Sequence, residues 1–300
     1  MKEKVSLLTC SMNRTNDLIE SIQLFDKISW VDDIYIIDFS SDIPIEKNLL
    51  PSIDKPLNIF RIENEQRWWL GRAYNAGFNI IKSDYILKLD ADALIKIDSF
   101  NELNYCEHEL IVFTNNQNDK GNFIIKKQLL DSVNGFNEYI KHWGYDDIDL
   151  INRISNTEAS VAYKKNYINK IIHGNQVRVP LSQYISFQHD DEKFNYAILK
   201  SYNNCNSFIA QNTDWNKSCL LDYNIYDNVL DILHTYSVES LSFVKKLKIK
   251  FIFLKTFFSV YYLKDKKIQN KIRKKILPFI YSIFPKPYLK NKYGLDIYLS

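Results

Sequence analysis

Up to Asp90 the chain alternates short apolar runs with segments of helical period, and few folds accept that rhythm. Val5 to Cys10 is an apolar run of strand length, and in Asn13 to Ser29 the residues Leu18, Ile22 and Phe25 recur at helical spacing. Ile34 to Ile37 is a second run closed by Asp38, and Leu57 to Ile62 is a third. Trp69 to Ile81 is predicted helical, and Tyr85 to Leu89 is a fourth strand ending on Asp90. Strand, helix, strand in succession implies an α/β fold with a mostly parallel sheet. Ligands of such sheets sit beyond the carboxyl ends of the strands, so the stretches to inspect first are Ser11 to Arg14, Asp38 to Asp42 and Asp90 to Asp92.

The second half is less regular. Leu110 to Thr114 and Asn122 to Ile125 read as strands, Asp147 to Ile154 as the first turns of a helix, and Ser160 to Tyr163 and Ile168 to His173 as short β segments. Six of the seven glycines fall between Gly71 and Gly174, which concentrates the tight backbone geometry there. A helix is predicted around Tyr226 to Tyr236. With 300 residues and 46% apolar content the chain can fill a sizeable core, which excludes disorder. Cys10, Cys106, Cys205 and Cys219 stand far apart, so neither a zinc ribbon nor a disulfide framework is expected, and the thiols are expected to be reduced in the cytoplasm. The amino-terminal run turns polar at Ser11 and reads as a strand rather than a signal peptide. No stretch approaches the roughly 18 apolar residues that span a bilayer.

Charge is divided unevenly. Between Lys245 and Lys292 stand fifteen basic residues and one acid, Asp265, leaving 24 basic and 35 acidic groups elsewhere. A basic tail on an acidic body is suited to an anionic surface. Phe251, Phe253, Phe257, Phe258, Tyr261 and Tyr262 alternate there with lysines, a composition that fits an interfacial helix on anionic lipid. The same composition also fits a helical domain with an aromatic core and a solvated lysine face. No RNA or DNA motif accompanies it, so nucleic acid is not an expected partner.

Three groups of residues could carry chemistry. Asp90-Ala91-Asp92 follows an apolar strand, and hard divalent cations take carboxylate oxygens while keeping positions open for phosphate. Two acids at a strand end also make an ordinary solvated turn. His142-Trp143-Gly144-Tyr145-Asp146-Asp147-Ile148-Asp149 leads from an aromatic and glycine turn into a helix start, where acids are equally explained by the helix dipole. His173, in Ile171-Ile172-His173-Gly174, closes an apolar strand, which is as compatible with a structural role as with a ligand.

In order and spacing these pieces resemble a GT-A glycosyltransferase of the family 2 type. The segment from Gly121-Asn122-Phe123 through Gly135-Phe136-Asn137-Glu138 to Trp143-Gly144-Tyr145-Asp146-Asp147-Ile148-Asp149 is similar to the carboxyl half of β-1,4-galactosyltransferases, polypeptide N-acetylgalactosaminyltransferases and bacterial chondroitin polymerases. The likeness covers about residues 4 to 175. It implies a GT-A domain over 1–180, followed by a variable acceptor-side region over 181–240; the tail's composition separately predicts a mainly helical, basic extension over 241–300 that either contacts membrane or packs as a helical domain. By the same resemblance Asp92 and His173 would bind Mn²⁺ or Mg²⁺, and Asp90 would assist on the donor side or contact the ribose. Thr9, Arg14, Asp38, Arg72 and Asn75 would border the nucleotide. Asp147 would be the catalytic base, and Trp143, Gly144 and Asp146 would position the acceptor or donor sugar. After the second strand the chain reads Asp38-Phe39-Ser40-Ser41 where the family has a DDGS pattern, and the family's Glu-Asp pair is Asp146-Asp147.

The function so implied is inverting, metal-dependent transfer of a hexose or N-acetylhexosamine from a UDP-sugar to a glycan or lipid-linked acceptor. With the basic tail, it suggests surface polysaccharide synthesis at the inner face of a bacterial membrane. The sequence signals one base and no carboxylate nucleophile, which favours inversion. Two other classes compete: a nonenzymatic sugar-nucleotide or glycan binder of the same fold, and a nucleotidyltransferase. The latter would show a glycine-rich loop after the first strand, and Thr9 to Thr15 contains no glycine.

Overall fold

The computed structural model describes residues 3–114, 120–171, 192–215, 223–233, 236 and 240–261. β1 (Val5–Ser11) is buried along its whole length, as an interior parallel strand covered on both faces must be. Its side chains alternate between two cores: Val5 and Leu7 join Leu18, Ile22 and Phe25 of α1 (Thr15–Phe25), while Leu8 and Cys10 join Ala73, Tyr74 and Phe78 of α2 (Leu70–Ile80). The approach of α2 to the sheet depends on Gly77. A Cβ there would stand 2.6 Å from a Leu8 methyl and 3.2 Å from Ile37.

β2 (Asp33–Phe39), β3 (Leu57–Ile62) and β4 (Tyr85–Lys88) complete the parallel centre. Next come the short β5 (Ala93–Ile95), α3 (Ile97–Asn101), β6 (Leu110–Thr114), β7 (Asn122–Lys126), α4 (Lys127–Ser132), α5 (Asp146–Ser155), β8 (Val161–Lys165) and β9 (Ile168–Lys170). β10 (Tyr223–Tyr226) and β11 (Val229–Ile232) finish a sheet whose order is β10-β11-β3-β2-β1-β4-β7-β6-β8. β7 runs antiparallel to both β4 and β6, while β5 and β9 form a separate antiparallel pair. Chain order runs outward from β1 through β2 to β3 on one side and restarts at β4 on the other. The crevice beyond the carboxyl ends of β1 and β4 is therefore the topological switch point, where ligands of open α/β sheets bind.

Where a helix is predicted around Tyr226 to Tyr236, the residues up to Ile232 instead belong to the hairpin β10-β11, and 234–235 lie outside the described residues. Asp227 and Asn228 both take positive φ, 46° and 66°, as a two-residue turn between right-twisted strands requires, and Asp and Asn tolerate that region better than most residues. β11 then pairs parallel with β3 at the sheet edge.

The chain divides into two packing units. One comprises Met1–Asn137, Asp146–Ile172 and Asp214–Thr235, and carries the sheet. The other comprises Glu138–Tyr145, His173–Thr213 and Tyr236–Ser300. Within the second, α6 (Glu192–Ala210) packs on α7 (Phe243–Tyr261) through Ile198, Tyr202 and Cys205 against Ile249, Phe253 and Phe257. The basic run after Tyr261 lies outside the described residues. No helix among the described residues is long and apolar enough to cross a membrane.

Candidate active site

β4 delivers the acid pair to the switch point. Its inward residues alternate, Tyr85, Leu87 and Leu89 to one core and Ile86 to the other, so Lys88 falls on the Ile86 side, where the pattern asks for an apolar residue. The Lys88 side chain is 0% exposed. Its ammonium lies 4.4 Å from the centre of the Tyr74 ring, with Phe123 and Phe136 at 5.8 and 5.9 Å. It donates to the Gly121 carbonyl and to Asp90 Oδ1 at 2.7 Å, and lies 3.8 Å from Asp147 Oδ1. The first acid of the Asp90-Ala91-Asp92 triplet and the proposed base at the start of α5 thus meet on one buried cation. Asp90 N donates to Asn122 Oδ1, and the Tyr74 hydroxyl donates to the Leu89 carbonyl and lies 3.4 Å from Asp90 Oδ1, which fixes the strand end.

Asp92 is 10% exposed at its side chain and pairs with Arg14 Nη1 at 3.0 Å, across the crevice from the start of α1. Ile171 N donates to the Asp92 carbonyl, continuing the β5-β9 ladder. His173, two residues on, lies outside the described residues. Among the described residues no three His, Cys, Asp or Glu side chains cluster as a cation site. The Asp92 carboxylate is a hard oxygen donor at the crevice, and it fits a divalent cation held in large part by a ligand's phosphates.

Asp147 is 21% exposed at its side chain, whereas Asp146 is buried. Burial, with the Asp147 charge beside it, pushes the Asp146 carboxyl up to about 8, while Lys88 opposes the rise. The two carboxyls share one buried corner beside Lys88, so burial and mutual repulsion resist ionising both at once. Asp149, two residues on, is a structural acid. It pairs with Arg153 Nε at 2.9 Å, and Arg153 donates to the carbonyls of Val133 and Gly135.

Three other residues expected at the nucleotide, Asp38, Asn75 and Arg72, are committed to internal bonds. Asp38 is buried, accepts from Ser41 N and Ile45 N, and pairs with Arg61, so its carboxylate holds the loop after β2. Asn75 is buried and makes both bonds to the Phe136 backbone, donating to its carbonyl and accepting from its N–H. Arg72 is buried against Trp69 and pairs with Glu65 at 3.1 Å. Thr9 is buried within β1, and its hydroxyl has no hydrogen-bond partner among the described residues.

Trp143 and Gly144 belong to the second unit. Trp143 is 41% exposed, and Gly144 has φ +95°, so any side chain would strain the turn that leads into α5. Asn206 of α6 holds this turn by donating to the carbonyls of His142, Trp143 and Gly144. Lys88 and Asn206 are the positions that motif reading passes over. A lysine at an inward strand position was the available signal for the first, and nothing local marks the second.

Residues 6–104 match the family model described as glycosyl transferase family 2, and residues 114–176 match the model described as the N-terminal domain of galactosyltransferase. No curated protein matches the chain. Among solved structures, the catalytic domain of Drosophila beta1,4galactosyltransferase 7 in complex with xylobiose is 15% identical, with TM-score 0.53 over 79% of this chain and 96% of that one. A mutant of the same Drosophila enzyme, in complex with manganese, UDP-Gal and xylobiose, is 13% identical, with TM-score 0.51 over 79% and 96%. The 4-diphosphocytidyl-2C-methyl-D-erythritol synthase of Anaerococcus prevotii DSM 20548 overlaps more loosely, with TM-score 0.47 and 11% identity over 59% and 93%, too loosely to bear on function.

Proposed function

We propose that the chain is a glycosyltransferase of GT-A fold and family 2 type, and that it moves a hexose or N-acetylhexosamine from a UDP-sugar to a glycan or lipid-linked acceptor with inversion. The observation that carries the proposal is the meeting of Asp90 and Asp147 on Lys88 at the switch point, with Asp92 and Arg14 paired across the same crevice. Asp147 is the base. Its carboxylate takes the proton of the acceptor hydroxyl as that oxygen bonds to the anomeric carbon and the bond to the leaving diphosphate breaks, and a single displacement inverts the centre.

Asp92, with His173, would hold Mn²⁺ or Mg²⁺, which when bound supplies positive charge to the departing diphosphate. Arg14 adds a second positive charge on that side, and Asp90 faces the ribose. Asp38 and Asn75 act through the loops they hold, and Arg72 borders the nucleotide beside Trp69. Trp143, Gly144 and Asp146 would position the sugars. A pure binder has no use for a base beside a buried ammonium, and the glycine-free stretch Thr9 to Thr15 lacks a triphosphate cradle.

Incubating the full chain and Mn²⁺ with a panel of UDP-hexoses and UDP-N-acetylhexosamines tests the reading. One donor is expected to release UDP in a metal-dependent manner. Release from none, or pyrophosphate release from a nucleoside triphosphate with a sugar phosphate, contradicts it.

The chain is also proposed to meet the cytoplasmic face of an anionic membrane, in surface polysaccharide synthesis. Support comes from α7, which exposes Phe243, Val244, Leu247 and Phe251 and carries five lysines and no acid. Each lysine near an anionic surface contributes about 1 kcal/mol. The full chain is expected to pellet with phosphatidylserine vesicles and not with phosphatidylcholine vesicles, and equal pelleting removes this part of the proposal.

A further inference from the structure

We propose that Lys88 is a positioning residue for the transfer reaction, a buried ammonium that fixes the donor-side acid Asp90 and the base Asp147 relative to each other and keeps Asp147 charged. The inference rests on the reading of Asp147 as the base.

A fully buried ammonium is costly unless acceptors surround it, and a methionine would occupy similar room without that cost. The position is one where the strand pattern favours an apolar residue, between Tyr74, Phe123 and Phe136. The three rings present their faces to the ammonium and keep water from it, which strengthens its pull on nearby carboxylates. One acceptor, Gly121 O, is internal. Two further partners are the acids that the sequence motifs mark for chemistry, one arriving from the end of β4 and one from the start of α5. The contact to Asp90 is a short charge-assisted bond, which sets position. The contact to Asp147, at 3.8 Å, acts through charge.

Among the described residues, the titratable groups facing the ammonium include Asp90 at its own strand end, Asp146 and Asp147 from α5, Tyr74 from α2 and Cys10 from β1. Burial pushes both the Cys10 thiol and the Tyr74 hydroxyl well up, so neither carries charge near neutral pH. Burial pushes Asp146 up as well. Asp90 and Asp147 both pair with Lys88, and removing its charge takes the shared cation away from both carboxylates.

The test is a carbon-13 carboxyl titration of the full chain without metal or substrate, with the Asp147 signal assigned through Asp147→Asn. In Lys88→Met the Asp147 midpoint is expected to rise by about one pH unit or more, while in Lys88→Arg it stays near the native value. If the Met variant does not fold, Lys88→Gln, which keeps a donor for Gly121 O, is read in its place. An unchanged midpoint in a folded neutral variant overturns the proposal, and so does failure of both neutral variants to fold, which makes Lys88 a structural residue only. On a donor that the native chain turns over, the neutral variant is expected to lose about tenfold or more in kcat with the donor KM within about threefold, and Lys88→Arg to recover most of the loss. A KM effect with kcat intact also overturns it. Should the native chain turn over no donor, the functional reading fails while the titration still decides the role of Lys88.

Discussion

Asp38 and Asp90 carry the same sequence signature, an aspartate closing an apolar parallel strand, yet the fold uses them in opposite ways. Asp38 is sealed in: two backbone N–H groups of its own loop and Arg61 from β3 account for its carboxylate. Asp90 looks across the switch point, bound to a lysine that also faces Asp147. The difference lies in the path the chain takes out of each strand. After β2 the chain turns back on itself through Ser40, at φ 55°, and Ser41, and Asn13 and Asp42 tie this loop to the loop after β1. After β4 a short turn, closed by Ala93 N on the Asp90 carbonyl, leads into β5, which pairs with β9 and leaves Asp92 at the crevice beside Arg14. A strand-end acid is thus a scaffold where its own loop closes over it, and it stays at the crevice where the chain leads away.

The widest separation between the two regions is expected in turnover. Asp147→Asn removes the base and should lower transfer by about 10³-fold, in line with general-base losses, while UDP affinity measured by calorimetry stays within about threefold. Asp38→Asn should do the reverse. Loss of charge-assisted bonds in a buried loop costs about 2 kcal/mol, seen as a melting temperature lower by about 4–8 °C, with turnover changed only a few fold at a temperature where the variant is folded. If Asp38→Asn abolishes turnover without destabilising, the division between scaffold and reactive acid is wrong.

A smaller effect is expected from Asp146, which shares features of both regions, being buried like Asp38 and beside the base. Its folded pKa of about 8 lies above the ordinary 3.8, so the folded state holds the proton more tightly. The stability tied to that proton is present at low pH and is lost progressively as pH rises from near 4 through about 8. Asp146→Asn removes this loss. Its melting temperature, relative to the native chain, should climb by several degrees between pH 5 and pH 9, and a constant difference would show that Asp146 is ionised throughout.

Much of this architecture was legible in the sequence. The four central strands, α1 and α2 follow from apolar periodicity, because each buries a face against a neighbour close in the chain. The hairpin β10-β11 was not. Its apolar spacing also fits a helix, and only the positive φ of Asp227 and Asn228, together with pairing onto β3 far upstream, settles it as a hairpin. In the site, Asp90, Asp92 and Asp147 stand out through spacing and resemblance, and the two family models overlie those segments. The internal duties of Asp38 and Asn75 were hidden because their partners Arg61 and Phe136 are distant in sequence. Lys88 was hidden for another reason: a lysine within an apolar strand reads as solvated until its place on the pleat is counted.

The central claim is that the crevice between β1 and β4, and not the loop after β2, receives the donor's diphosphate. Calorimetry of UDP binding with and without Mn²⁺, on the native chain, Asp92→Asn and Asp38→Asn, addresses it most directly. The account expects Mn²⁺ to tighten UDP binding at least about tenfold, Asp92→Asn to erase that gain, and folded Asp38→Asn to keep it, the tenfold corresponding to about 1.4 kcal/mol. UDP binding that ignores both Mn²⁺ and Asp92, or that is lost with Asp38 alone, would contradict it.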